Sequence, residues 1–231
     1  MKTITLPDGR TISYELTRKP VKNINLRLRP DGAVNVSASS RVPIYRIEQL
    51  LLEHADSFLK AAERAQERER KTDIASLESV NWLGKNYPVR IIRNARETAV
   101  LDETELRVFT RRADEEEYLR ALVTRTIADN FVKLCGELNG EVRSALAARG
   151  LEPPPTRITV KDMRSRWGSC SYTRGHISIN IRLAAYPRET VLSVFWHEYA
   201  HYWHHDHSRE FYAFLERHYP EYYKWNGLLK S

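Results

Sequence analysis

The sequence predicts an α+β chain, with a strand-rich N-terminal half joined to a helical C-terminal half that carries a small sheet. Three observations predict it. Apolar residues alternate at period two over residues 11–38 and again over 80–109, they recur at helical spacing over 113–149, and a short strand at 176–183 leads into a helix dense in histidine. We divide the chain into a strand-rich region with one intervening helix, 1–112, and a helical region, 113–231. Of the 231 residues 42% are hydrophobic, enough to fill a core of ordinary size without disulfide support.

The elements follow in order. Residues 11–17 (TISYELT) read as a strand, as do residues 23–29 (NINLRLR), where Ile24, Leu26 and Leu28 alternate with polar neighbours. The turn signal Pro30, Asp31, Gly32 then predicts a hairpin with residues 33–38. After Pro43 the period changes: Ile44, Ile47, Leu50, Leu51, Phe58 and Leu59 define a helix that fades into the charged run ERAQERERK, whose far end is expected in solvent. Strands return at 80–92, turning at Gly84, and at 98–109, turning around Asp102 to Thr104. One or two helices over 113–149 bury Leu119, Leu122, Val123, Ile127, Phe131, Leu134, Leu138, Val142 and Leu146, and end at Gly150. The run Pro153–Pro155 is the strongest break in the chain. Beyond it come a strand at 156–163, the segment RSRWGSCSYTRG, a strand at 176–183, and a helix opening near Pro187, where a missing N–H costs nothing. The sequence shows no internal repeat.

Composition narrows the setting. Cys135 and Cys170 are the only cysteines, too few for a disulfide framework, and no stretch approaches the roughly 18 apolar residues of a membrane span. A cytoplasmic protein without a membrane partner is expected. The formal charge of +7 concentrates in Arg18, Lys19, Lys22, Arg27 and Arg29, and in Arg157, Lys161, Arg164, Arg166, Arg174 and Arg182. Such segments suit nucleic acid or another acidic partner, and equally serve as solvated strand faces.

The stretch WHEYAHYWHHDHSREF, residues 196–211, holds five of the eight histidines. His197 and His201 are four apart, which stacks both imidazoles on one helix face, about 5–6 Å apart at Cβ, within reach of one zinc ion. Glu198 projects about 100° round the helix, beside a metal and not onto it. This is the H-E-x-x-H pattern. A catalytic zinc takes three protein ligands and leaves one position open. His204 and His205, at about 300° and 40° from His201 on a continued helix, are poorly placed to close the set and are read as surface or supporting residues. His207 can close it if the helix ends and the chain turns; Asp206 and Ser208 supply caps for a following helix, on which Phe211, Phe214, Leu215 and His218 recur.

RSRWGSCSYTRGHISINIRL followed by WHEYAHYWHHDHSREFY resembles the YgjP-like metallopeptidase family, related to the SprT-like zinc proteases. The resemblance is strong over 157–230 and weaker over the N-terminal strands. It implies a zincin-like C-terminal domain, zinc at His197, His201 and His207, catalytic Glu198, and a peptide or protein substrate. Tyr199 stands where the family has leucine, and Asp206 where asparagine is common; neither removes a ligand.

With an ordinary carboxylate pKa of about 4.3, Glu198 lies roughly 3 units below zinc-bound water and roughly 11 below free water, so it suffices as base only beside the metal. A second oxyanion donor is expected, with Tyr199, Tyr202 and Tyr212 nearby in sequence, although tyrosines on such helices more often pack. The strand at 176–180 is expected to offer an open edge to an extended peptide. In RWGSC, Gly168 permits a close backbone approach, Trp167 and Cys170 fit a core, and Arg164 and Arg166 face an acidic substrate. Cys170 as nucleophile is a minor rival, since no dedicated base accompanies it. The aromatic tail HYPEYYKWNGLL is expected to pack over the histidine helix. The competing class is a nucleic-acid-associated binding protein with a structural zinc, which would not need Glu198.

Overall fold

Two four-stranded sheets of the same topology, each followed by a helix, account for most of the first 147 residues in the computed structural model. It describes the chain apart from Pro7, Pro30, Asp31, residues 72–75 and 230–231, with backbone alone over 64–71. The chain divides into two compact units, Met1–Arg70 and Lys71–Ser231.

In the first unit, β1 (Lys2–Thr5), β2 (Thr11–Arg18), β3 (Asn25–Leu28) and β4 (Val34–Ala38) lie in the order β1-β2-β4-β3. The outer pairs are antiparallel and β2 runs parallel to β4. The predicted hairpin forms between β3 and β4, with Leu26 opposite Val36 and Gly32 at φ +82°, while Pro30 and Asp31 lie outside the described residues. Buried Ile12, Tyr14, Val34 and Val36 pack against Ile47 and Leu51 of α1 (Ile44–Glu53). The expected single helix is broken at His54, whose φ of −103° and ψ of 6° separate α1 from α2 (Ala55–Lys71). The side chains that would test whether its charged end is solvated lie outside the described residues.

The second unit opens with β5 (Ser79–Trp82), β6 (Lys85–Arg93), β7 (Thr98–Leu101) and β8 (Leu106–Thr110), ordered β5-β6-β8-β7 with the same antiparallel, parallel, antiparallel pairings. The long helix α3 (Glu116–Ala147) begins as far beyond Thr110 as α1 begins beyond Ala38. The sequence shows no repeat, yet the topology repeats: period-two strands fix which face is buried and leave residue identity free. Buried Val80, Leu106 and Val108 share one core with Leu119 and Val123 of α3 and with Phe195. The strands of 79–110 therefore share a compact unit with the helices that follow.

A third sheet carries the site. It comprises β9 (Arg157–Lys161), β10 (Gly168–Ser171) and β11 (His176–Asn180), in the order β10-β11-β9. β11 is central, antiparallel to β10 and parallel to β9, so the open edge expected at 176–180 is absent. β10 holds the edge instead. Its four residues lack an alternating apolar pattern, and its pairing with β11 follows from the turn at Gly175, whose φ of +57° and ψ of 47° suit glycine. After the 3-10 turn Ile181–Ala185 come α4 (Arg188–Ala200), α5 (Arg209–His218) and α6 (Tyr222–Asn226).

Candidate metal centre and active site

Pro187 precedes the first turn of α4, as its missing N–H favours, and Val191, Phe195, Tyr199 and Ala200 of this helix are fully buried. His197 lies in the last turn. His201 is the cap residue and keeps helical dihedrals of −65° and −11°, so the two rings remain on one face with centroids 5.2 Å apart. The chain then turns through 202–207. Ser208 caps α5 by accepting a hydrogen bond from the Phe211 N–H at 3.5 Å, and this sharp restart swings His207 back toward α4.

Three imidazoles thereby converge. The candidate ligand atoms of His197, His201 and His207 lie within 4.8 Å of one another, and the Nε2 atoms of His197 and His207 face each other at 3.0 Å. Two ligands about 2.05 Å from one tetrahedral ion would stand about 3.3 Å apart, so the group fits a single small cation. The far sides of two rings are held: His197 Nδ1 lies 2.9 Å from the Tyr222 hydroxyl, and His201 Nδ1 3.1 Å from the carbonyl of His204. The carbonyl only accepts and so selects the His201 tautomer whose Nε2 lone pair points inward, and the hydroxyl is able to accept from His197 Nδ1–H in the matching tautomer. Phe211, fully buried, lies beneath all three rings with centroids 4.8–4.9 Å away. Burial and its two ring neighbours push the His197 pKa down to about 3, so that ring is neutral and free to act as a ligand.

Glu198 is 4% exposed and makes no hydrogen bond among the described residues. Burial pushes its pKa up to about 8, against the opposing charge of Arg166. What covers it is the backbone of β10. A Cβ on Gly168 would stand 2.8 Å from both Cγ and Cδ of Glu198, closer than side chains come, so only glycine lets the strand approach. The loop leading to Gly168 is fixed by Asn180, a buried residue at the end of β11. Its Nδ2 donates to the carbonyls of Met163 (2.7 Å) and Arg166 (2.8 Å), its Oδ1 accepts from the Met163 and Arg182 amides, and its own N–H donates to the Trp167 carbonyl at 2.9 Å.

A cavity of about 510 Å³ opens above these groups, lined by Arg166, Gly168, Cys170, Tyr172, His197, Glu198, His201, His205, His207 and, from the C-terminal tail, Asn226 and Leu229. His204 packs against Phe214 outside it. His205 stacks on Tyr172 with centroids 3.9 Å apart and joins the cavity wall, a position that helical angles alone did not reveal. Tyr199 and Tyr202 are engaged elsewhere, with Asn139 at 2.5 Å and Thr156 at 2.8 Å, and Tyr212 stacks on Tyr223, so none of the three lines the cavity. Cys170 does line it, but burial and Glu198 push its thiol up to about 12, which argues against a nucleophilic thiolate. Of the basic segments, Arg18, Arg29 and Arg182 have acceptors within the chain.

A family model for the YgjP-like metallopeptidase domain matches residues 22–231. The chain belongs to the YgjP-like family. No curated protein and no solved structure matches it. The YgjP-like match covers the third sheet with α4 to α6, the second four-stranded sheet with α3, and β3 and β4 of the first sheet, while β1 and β2 lie before it, so more than the histidine segment carries the membership. For a YgjP-like chain, metal-dependent cleavage of peptides or proteins is the family's activity. No helix among the described residues is long and apolar enough to cross a membrane.

Proposed function

We propose that this protein is a zinc peptidase of zincin-like design, in which His197, His201 and His207 hold the ion and Glu198 is the general base. The observation that carries the reading is the convergence of three imidazoles within 4.8 Å beside a buried carboxylate that none of them binds. Three imidazole nitrogens suit zinc, and the three rings line the cavity. Bound there, zinc supplies a Lewis acid that polarises a carbonyl and lowers the pKa of water from 15.7 to about 7.

The protein's own groups do the rest. Glu198 accepts the proton from the attacking water at a carboxylate oxygen and carries it to the leaving amine nitrogen. Gly168 closes over that carboxylate and excludes bulk water. The His204 carbonyl holds the His201 ring in its inward tautomer, and the Tyr222 hydroxyl orients the His197 ring. The open edge of β10 borders the same cavity and can receive an extended peptide through main-chain hydrogen bonds.

The test is zinc-loaded protein incubated with unfolded polypeptide, beside Glu198→Gln. The variant is expected to keep stoichiometric zinc and to lose cleavage by at least about 100-fold, the scale of a general base. Equal cleavage by both proteins would remove Glu198 from the mechanism. A chain that binds no zinc would remove the histidine set.

A further inference from the structure

The cavity lining is unbalanced in charge. Among the described residues its one acid is Glu198, buried beneath Gly168, and its one guanidinium is Arg166. Several arginines of the second unit are occupied: Arg93 pairs with Asp114, Arg107 with Asp102, Arg112 with Glu115, Arg182 with Asp162 and Arg188 with Glu141. Arg166 has no hydrogen-bond or ion-pair partner for its guanidinium among the described residues, although its main chain is anchored, its carbonyl accepting from Asn180 at 2.8 Å. The side chain is exposed on a fixed base, at the mouth of a cavity that a bound dication would make more positive still. It also sits two residues before Gly168, where β10 begins, so a peptide laid along that edge passes it.

We propose that Arg166 is a carboxylate-binding residue of the cleft, selecting substrates that carry an acidic side chain or a free C-terminal carboxylate close to the scissile bond. The proposal rests on the peptidase reading for the word substrate, but the binding preference stands by itself. A guanidinium offers two parallel N–H donors that match a carboxylate in shape, which an ammonium does not. Because Arg166 is exposed, its selectivity is moderate: about tenfold, between the value of a solvent-screened pair and that of a desolvated charged hydrogen bond.

The experiment uses zinc-loaded full-length chain and matched fluorescent peptides: internal Glu against Gln, and free C-terminus against C-terminal amide. Binding is read by anisotropy in the Glu198→Gln background, with and without Arg166→Gln, and cleavage is read in parallel with Glu198 intact. The expected result is that a carboxylate peptide binds about tenfold more tightly than its amide twin, that Arg166→Gln abolishes the difference while amide peptides bind as before, and that Arg166→Lys retains part of it. Which pair shows the preference identifies the source, side chain or terminus. Absence of any preference, absence of peptide binding, or an equal loss for both members of each pair on Arg166→Gln would overturn the proposal. A carboxylate preference in binding without cleavage of any peptide would sink the peptidase reading and leave this one standing.

Discussion

Substituting Gly168 by alanine tests the contact that shapes the site. The added Cβ would sit 2.8 Å from Cγ and Cδ of Glu198, whereas carbon atoms at rest stand about 3.5–4.0 Å apart, so strand and carboxylate must separate by about 0.7–1.2 Å. The helix backbone cannot retreat, because Phe195, Tyr199 and Ala200 beside Glu198 are fully buried, so the strand moves or the carboxylate is pushed into the cavity it lines. A displacement near 1 Å of a reacting group costs about 100-fold in rate, and overpacking costs about 1–3 kcal/mol in stability. The assay is kcat on an unfolded polypeptide, with zinc content and chemical unfolding measured on the same samples. Gly168→Ala is expected to keep its zinc, to lose about 100-fold in kcat, and to unfold more readily. Unchanged kcat would refute the idea that the β10 backbone positions the base, and a loss that tracks zinc content would move the effect from Glu198 to the ligands.

Four further outcomes are expected. Tyr222→Phe removes the hydroxyl 2.9 Å from His197 Nδ1, and zinc affinity in a chelator competition should fall about 10-fold to 100-fold while the fold is retained. Asn180→Asp replaces the donor that serves two carbonyls with a buried acceptor, so urea unfolding of the second unit should show a loss of about 3 kcal/mol or more, with near-native activity arguing against its role in fixing the 163–167 loop. Chelating the zinc should lower the unfolding temperature, since a ligand at 1,000 times its Kd adds about 4.1 kcal/mol, and His207→Ala should remove most of that difference. Glu97 accepts hydrogen bonds from Thr110, the Arg111 amide and Tyr118, which hold its pKa below the usual 4.5. Its contribution to stability is therefore present above pH 4.5 and lost as pH falls below it, so unfolding temperatures of wild type and Glu97→Gln should differ at neutral pH and converge in acid.

The histidine set was legible because its determinants are local. Spacing of four fixes His197 against His201, and a serine cap one residue beyond His207 fixes the turn that returns it. What the sequence hid is non-local. Gly168 and Glu198 touch across 30 positions of chain, Tyr222 reaches His197 from 25 beyond, and Tyr172 meets His205 across 33. Strand pairing is of the same kind: HISIN reads as a strand from its period, but nothing in five residues says whether two neighbours or one will flank it. The central place of β11 and the edge place of β10 follow from the turn at Gly175 and from Asn180, whose side chain holds the preceding loop against the sheet.

This division between local and non-local parts bears on what the H-E-x-x-H segment can do by itself. On a solvated helix the same five residues would still bring two imidazoles to one face, and would bind metal. Their glutamate, however, would keep an ordinary carboxylate pKa and stay open to bulk water. Here the Gly168 backbone covers Glu198, burial raises its pKa to about 8, and the Asn180 carboxamide keeps the covering strand in register. On the proposed reading, metal capture would belong mainly to residues 197–207, whereas the environment of Glu198 belongs to residues 163–180. Transplanting 196–211 onto another helix should yield a zinc-binding peptide without comparable cleavage. Measurable peptidase activity in such a transplant, at a level near that of the parent chain, would show that the β10 cover is dispensable.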